Sequence, residues 1–281
     1  EKHGSPFDCV QADLESLPDL SHALGGVEVV VHLAARVHQM REEADDVEAA
    51  YRHANLNVTR HLVEEAIRAG VKRFVFVSSI KAQGEHSEGH PLTEQDEPKP
   101  RDPYGRSKLE AERALQTLAE AAGMEWVIVR PVLVYGAGVG GNFLRLMRLV
   151  ASGWSLPLGC ARKPRSLINV WNLADLLENC CTHPEAANQL FLAEDVRFGT
   201  AGLIRAIAEA MGRPPRLLPV PLVFVRVFNW LPGIRAALDR LDGELIASAE
   251  KARRLLGWQP RISPEEALRR TTAHFLTSTR N

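Results

Sequence analysis

Short β-branched or apolar runs alternate with helical periods through the first two thirds of this chain, and that alternation constrains the fold more than any other feature. The runs are Phe7–Gln11, Val27–Leu33, Arg73–Val77, Trp126–Arg130 and Gln189–Ala193. Between them the spacing predicts helices over Asp45–Ala69, Tyr104–Ala122, Asn142–Ser152 and Val170–Cys181. Strand, helix, strand is the repeating unit of a parallel sheet with crossover helices. Parallel strands are covered on both faces and read as continuous apolar runs, as Val27-Glu28-Val29-Val30-Val31-His32-Leu33 nearly does. The prediction is a doubly wound α/β sheet. After residue 197 the pattern loosens into helices over Ala201–Met211 and Ala249–Leu256, with the proline-punctuated stretch Pro214–Pro221 between them. That tail predicts a smaller, mostly helical cap.

Charge narrows the function classes. Lysine and arginine number 34 against 35 aspartates and glutamates, so no net field draws the chain to nucleic acid or anionic lipid. The four cysteines show no C-x-x-C spacing and two are adjacent, which suggests neither a metal site nor a disulfide framework and fits a reducing cytoplasm. The longest apolar run, from Val220 to Leu231, is short, broken by Arg226 and rich in proline; it predicts a packed helix of the second domain rather than a membrane span.

Chemistry concentrates in Tyr104-Gly105-Arg106-Ser107-Lys108, with Ser78-Ser79 ahead of it at the end of the run Arg73–Val77. Tyr104 and Lys108 are spaced i, i+4 and share one helix face. A free phenol has a pKa of about 10, so a tyrosine base needs a neighbouring cation to favour phenolate. Lowering it by about three units takes on the order of 4 kcal/mol. Such pairs arise by chance on many solvated helix faces; here the pair follows a turn-rich loop, and the serines stand at a strand's carboxyl end, where open α/β sheets place ligands. The arrangement resembles the extended short-chain dehydrogenase/reductase family, the NAD-dependent nucleotide-sugar epimerases and dehydratases, and nearly the whole chain carries the likeness.

The resemblance implies a Rossmann-like domain and a set of roles. Ser79, Tyr104 and Lys108 match the catalytic serine, tyrosine and lysine. Asp13-Leu14 matches the pair that contacts the adenine, although Asp13 also suits a plain helix N-cap. Leu33-Ala34-Ala35 matches a loop of small residues that closes on the cofactor, and Asn55 a helix asparagine that steadies the active-site backbone. Ser78 and Pro131 match cofactor-side positions, and Lys108 is expected to bond the nicotinamide ribose. Asn142 and Arg165 match positions that grip a nucleoside diphosphate, where a planar guanidinium makes paired bonds. Arg36 and His38 would lie near the sugar. Ser79-Ile80-Lys81 and Ala35-Arg36-Val37-His38 look like enzymes of bacterial surface-polysaccharide clusters grouped with UDP-glucose 4-epimerase, which include 4-keto-sugar reductases.

One expected motif is missing: no strand is followed by the glycine-rich turn that would hold a pyrophosphate at a helix N-terminus. Gly136-Ala137-Gly138-Val139-Gly140-Gly141 comes late and reads as a loop leading into the substrate site. The expectation is a dinucleotide-binding domain over residues 1–138, truncated at its N-terminus and completed by 166–197, with 139–165 and 198–281 forming the substrate cap. The expected activity is 4-epimerisation of a UDP-hexose or UDP-N-acetylhexosamine through transient oxidation at C4, with NAD as cofactor, NADP being the alternative, and no metal. A 4-keto-sugar reductase would use the same residues, and a non-enzymatic dinucleotide-sensing or scaffold protein is the rival of another class. A cytoplasmic homodimer, paired through the helices Asp45–Ala69 and Tyr104–Ala122, is the expected assembly.

Overall fold

The structure, a computed structural model, describes residues 8–37, 46–87, 89–220 and 243–278. His38, Phe7 and the apolar run from Pro221 onward lie outside the described residues. The chain divides into two compact units, the first formed by Glu1–Gln83, Pro98–Val129 and Cys180–Leu190, the second by Gly84–Glu97, Arg130–Asn179 and Phe191–Asn281. Residues 84–97, 130–138, 166–179 and 191–197, which the sequence groups with the dinucleotide domain, fall in the second unit.

The first unit is built from α1 (Ser21–Leu24), β1 (Val29–His32), α2 (Val47–Tyr51), α3 (Val58–Arg68), β2 (Arg73–Val77), α4 (Ile80–Gln83), α5 (Pro103–Ala122) and most of β3 (Glu125–Pro131). Strands β1, β2 and β3 run parallel, with Val29 opposite Arg73 and Arg73 opposite Glu125. The central strand β2 is buried along nearly its whole length. Phe74 and Phe76 share one of its faces and pack in a cluster with Leu62 and Val63 of α3 and Leu115 and Ala119 of α5. Each phenylalanine so buried contributes about 2 kcal/mol of transfer free energy. The predicted strand over Phe7–Gln11 is a correction: residues 8–11 form no strand, since an extended segment becomes one only when a neighbour takes up its backbone hydrogen bonds.

Local chemistry sets the ends of α5. Asp102 is its N-cap and accepts a hydrogen bond from the Gly105 N–H at 2.7 Å, Pro103 occupies the first turn, and Gly123 ends it in the left-handed region at φ 70°. These caps hold Tyr104 in the first turn, beside the ends of the strands. The helix before β2 is less regular. Between α2 and α3 the backbone runs as a π-helical segment, Arg52–Asn57, which widens the turn that carries Asn55.

The second unit contains β4 (Leu133–Tyr135), α6 (Gly141–Ala151), β5 (Pro164–Asn169), most of α7 (Val170–Thr182) and of β6 (Gln189–Ala193), β7 (Val196–Gly199), α8 (Thr200–Ala210), α9 (Glu250–Leu256) and α10 (Pro264–Ser278). Strand β6 continues the first sheet in the order β1-β2-β3-β6. A second sheet, β4-β5-β7, pairs β4 with β5 in parallel and β5 with β7 antiparallel. None of its three strands lies among the apolar runs marked in the sequence. Asp195 fastens this unit: one carboxylate oxygen accepts from the Asn169 backbone and side chain and from the Asn172 amide, while the Asn172 carbonyl takes the N–H groups of Arg261 and Ile262.

Candidate active site

The carboxyl ends of β1 and β2 and the first turns of α5 bring together most of the residues singled out in the first half of the sequence. β2 ends at Val77, and Ser78 continues its ladder by donating its N–H to the Val129 carbonyl at 2.8 Å. The next residue, Ser79, opens the turn into α4; its hydroxyl accepts the Lys81 N–H at 3.2 Å and bears on the Tyr104 phenol, whose pKa it acts to lower. Lys81 pairs with Asp102, the cap of α5. A short helix and a capped one are thus tied so that serine and tyrosine face each other.

Gly105 makes that approach possible. A Cβ at this position would lie 2.5 Å from the Lys81 carbonyl oxygen, a backbone atom that cannot step aside. The glycine serves close packing, since its φ is not in the left-handed range.

Lys108 is almost fully buried one turn beyond Tyr104. Its Nζ donates to the Val77 carbonyl at 2.8 Å and sits 3.9 Å from the centre of the Phe76 ring. Burial lowers its pKa to about 7, against the opposing pull of Glu112. Burial pushes Tyr104 up, and the side chain of Ser79 is the influence that acts the other way. A low-dielectric setting disfavours phenolate and ammonium alike. His32 shows the same effect: it is buried against Phe76 and Thr59, and burial, with the Lys108 charge second, lowers its pKa to about 3.

Asn55, on the π-helical segment, is buried and fully engaged. It accepts the Arg36 N–H at 2.8 Å, donates to the Arg36 carbonyl at 3.1 Å and donates to the Ser107 hydroxyl at 2.9 Å; Ser107 in turn donates to the Tyr104 carbonyl at 2.8 Å. The loop after β1 is thereby fixed to the helix that carries tyrosine and lysine. The Arg36 guanidinium lies 5.7 Å from the ring centre of Tyr51, whose ring meets Tyr104 edge-on at 6.1 Å. Leu33 and Ala34 are exposed at the end of β1 and Ala35 is half-buried. Asp13 is exposed and caps the 3-10 turn Leu14–Ser16, accepting from the Glu15 N–H at 3.0 Å.

Pro131, Asn142 and Arg165 belong to the second unit. Pro131 is the buried last residue of β3, Asn142 is exposed in the first turn of α6, and Arg165 is half-buried on β5, where it donates to the Gly243 carbonyl at 3.1 Å. Two residues of the first cluster escaped the sequence reading. Tyr51 stands four residues before Asn55, and Glu112 four beyond Lys108 on the same face of α5; helical spacing was the signal for both.

The group tests well against a nicotinamide nucleotide on its ribose side. An ammonium has three hydrogens, and among the described residues that of Lys108 has one hydrogen-bond acceptor, the Val77 carbonyl, which leaves capacity for vicinal hydroxyls. The arrangement can pass a proton between the Tyr104 phenol and a substrate oxygen held by Ser79.

Residues 1–191 match the NAD dependent epimerase/dehydratase family. The chain is 42% identical over 267 residues to a UDP-glucose 4-epimerase of Vibrio cholerae, covering 94% of this chain and 81% of that protein. It is 27% identical over 232 residues to an N-acetyl-α-D-glucosaminyl-diphospho-ditrans,octacis-undecaprenol 4-epimerase of Escherichia coli O157:H7, covering 79% of this chain and 67% of that one. Among solved structures, UDP-glucuronic acid 4-epimerase from Bacillus cereus in complex with NAD superposes with a TM-score of 0.78 at 21% identity, covering 99% of this chain and 83% of that chain. UDP-glucose 4-epimerase from Thermotoga maritima with UDP-glucose gives 0.75 at 23% identity, covering 95% and 84%. These likenesses establish the Rossmann-like fold.

Proposed function

The chain belongs to the NAD-dependent epimerase/dehydratase family, and we propose that within it the protein is a UDP-sugar 4-epimerase. The observation that carries this reading is the buried Lys108, its ammonium on the Val77 carbonyl at the end of β2 one helical turn beyond Tyr104, with Ser79 at the same strand end. Ser79 holds the sugar C4 oxygen against the Tyr104 phenol, and Tyr104 takes the hydroxyl proton and later returns it. Lys108 supplies the positive charge that favours phenolate and bonds the nicotinamide ribose. Bound NAD would supply a hydride acceptor at C4 that is regenerated within the same turnover, so it would not be consumed.

Around this centre, Asp13, Leu14, Leu33, Ala34, Ala35, Asn55, Ser78 and Pro131 hold the cofactor, and Arg36, His38, Asn142 and Arg165 hold the UDP-sugar. Residues 1–138, completed by 166–197, are the dinucleotide domain, and 139–165 with 198–281 form the substrate cap. The protein works as a cytoplasmic homodimer. Among the described residues no helix is long and apolar enough to cross a membrane.

The test is incubation with UDP-glucose, UDP-galactose and their N-acetylamino forms, with and without NADPH, followed by product identification. Interconversion without cofactor consumption is the expected result. Turnover of NADPH only with a 4-keto sugar would replace the epimerase by a 4-keto-sugar reductase, the activity found among the polysaccharide-cluster enzymes that Ser79-Ile80-Lys81 resembles.

A further inference from the structure

Tyr104, Lys108 and Glu112 follow one another at i, i+4 and i+8 on a single face of α5, and the last of them is a carboxylate at 2% exposure. A buried acid without a task is costly to keep. This one is held by the Ser78 hydroxyl, which donates to its Oε1, and its charge acts on Lys108 one turn away. Ser78 in turn joins β2 to β3 through its N–H, and its neighbour Val77 accepts from the Lys108 ammonium. Carboxylate, serine, strand end and ammonium are thus joined beneath Tyr104.

We propose that Glu112 is a positioning residue of the active site: its carboxylate is the countercharge of the Lys108 ammonium, and through Ser78 it ties that charge to the end of β2. The functional role rests on the epimerase reading above; the countercharge itself does not. His32, on β1, is kept neutral at ordinary pH by burial, and among the described residues Glu112 is the charge that opposes the burial bringing Lys108 down to about 7. Without it the amine loses its proton at lower pH and no longer favours the Tyr104 phenolate.

Glu112→Gln keeps the shape and an acceptor for Ser78 but removes the charge. In the full-length protein without cofactor or substrate, NMR titration of 13C-labelled lysine, with Lys108 assigned by loss of its signal in Lys108→Met, is expected to show the Lys108 midpoint about one pH unit lower in Glu112→Gln. Glu112→Asp, which keeps the charge farther away, is expected to move it part of the way. In turnover, the alkaline limb of the kcat profile should shift down by a similar amount in Glu112→Gln and return toward wild type in Glu112→Asp. A Lys108 midpoint unmoved in Glu112→Gln, or in Glu112→Asp if the glutamine variant does not fold, overturns the proposal. Because the titration needs no catalysis, it decides the matter even if the protein proves not to be an epimerase.

Discussion

The Asn55 side chain grips the backbone of Arg36 at both its N–H and its carbonyl, 2.8 and 3.1 Å, and reaches Ser107 on α5 with its remaining amide hydrogen. One buried amide therefore joins the loop after β1 to the helix bearing Tyr104 and Lys108. Asn55→Ala leaves these groups without their partner and is expected to destabilise the fold by about 2–3 kcal/mol in urea unfolding. Asn55→Asp keeps the acceptor but removes both donors, so it should be nearly as damaging. An alanine variant as stable as wild type would refute the clamp.

Gly105→Ala puts a methyl group 2.5 Å from the Lys81 carbonyl, so α4 and α5 must separate. Overpacking of this kind costs about 1–3 kcal/mol. The larger effect is expected on turnover, because the separation pulls Ser79 away from Tyr104. The prediction is a kcat reduced at least tenfold with a modest fall in Tm, and it fails if kcat is unchanged.

Tyr104→Phe removes the proton carrier and little else. Proton transfer by a positioned side chain accounts for about 10²–10⁴-fold in rate, and kcat is expected to drop within that range. The ring, packed edge-on against Tyr51, stays in place, so thermal unfolding should be nearly unaltered. Full activity in this variant would sink the mechanism.

His32 makes the fold sensitive to acid. Its pKa falls from 6.5 to about 3 on folding, chiefly through burial, so between those values the unfolded chain binds the extra proton and the native chain does not. Stability from this residue is full above about pH 6.5 and is lost as pH falls toward 3, by an amount on the order of a few kcal/mol. His32→Asn is expected to be less stable than wild type at pH 7 but to show a shallower loss from pH 6.5 to 4 in chemical denaturation. Parallel curves for the two proteins would rule the residue out as the cause.

Much of this architecture can be read along the chain. Arg73–Val77 and Gln189–Ala193 are strands over the residues their apolar runs mark, and α5 begins one residue before the predicted Tyr104, at the proline that caps and turn chemistry favour. Ser79, Tyr104 and Lys108 could be named because their chemistry is expressed in spacings of a few residues. The short strands of the β4-β5-β7 sheet and the failure of residues 8–11 to form a strand could not, since strand character there depends on partners distant in sequence. Glu112 lay within reach of the i, i+4 rule, yet nothing in its neighbours marks it as buried.

Local order, meaning helix periods, caps and the tyrosine–lysine spacing, follows from the amino-acid sequence because it depends on neighbours within one or two turns. The protonation behaviour of the site does not. That Tyr104 is pushed up, Lys108 down and His32 kept neutral is decided by the water that packing excludes. Desolvation is a property of the assembled interior, and only tertiary structure determines which side chains it reaches.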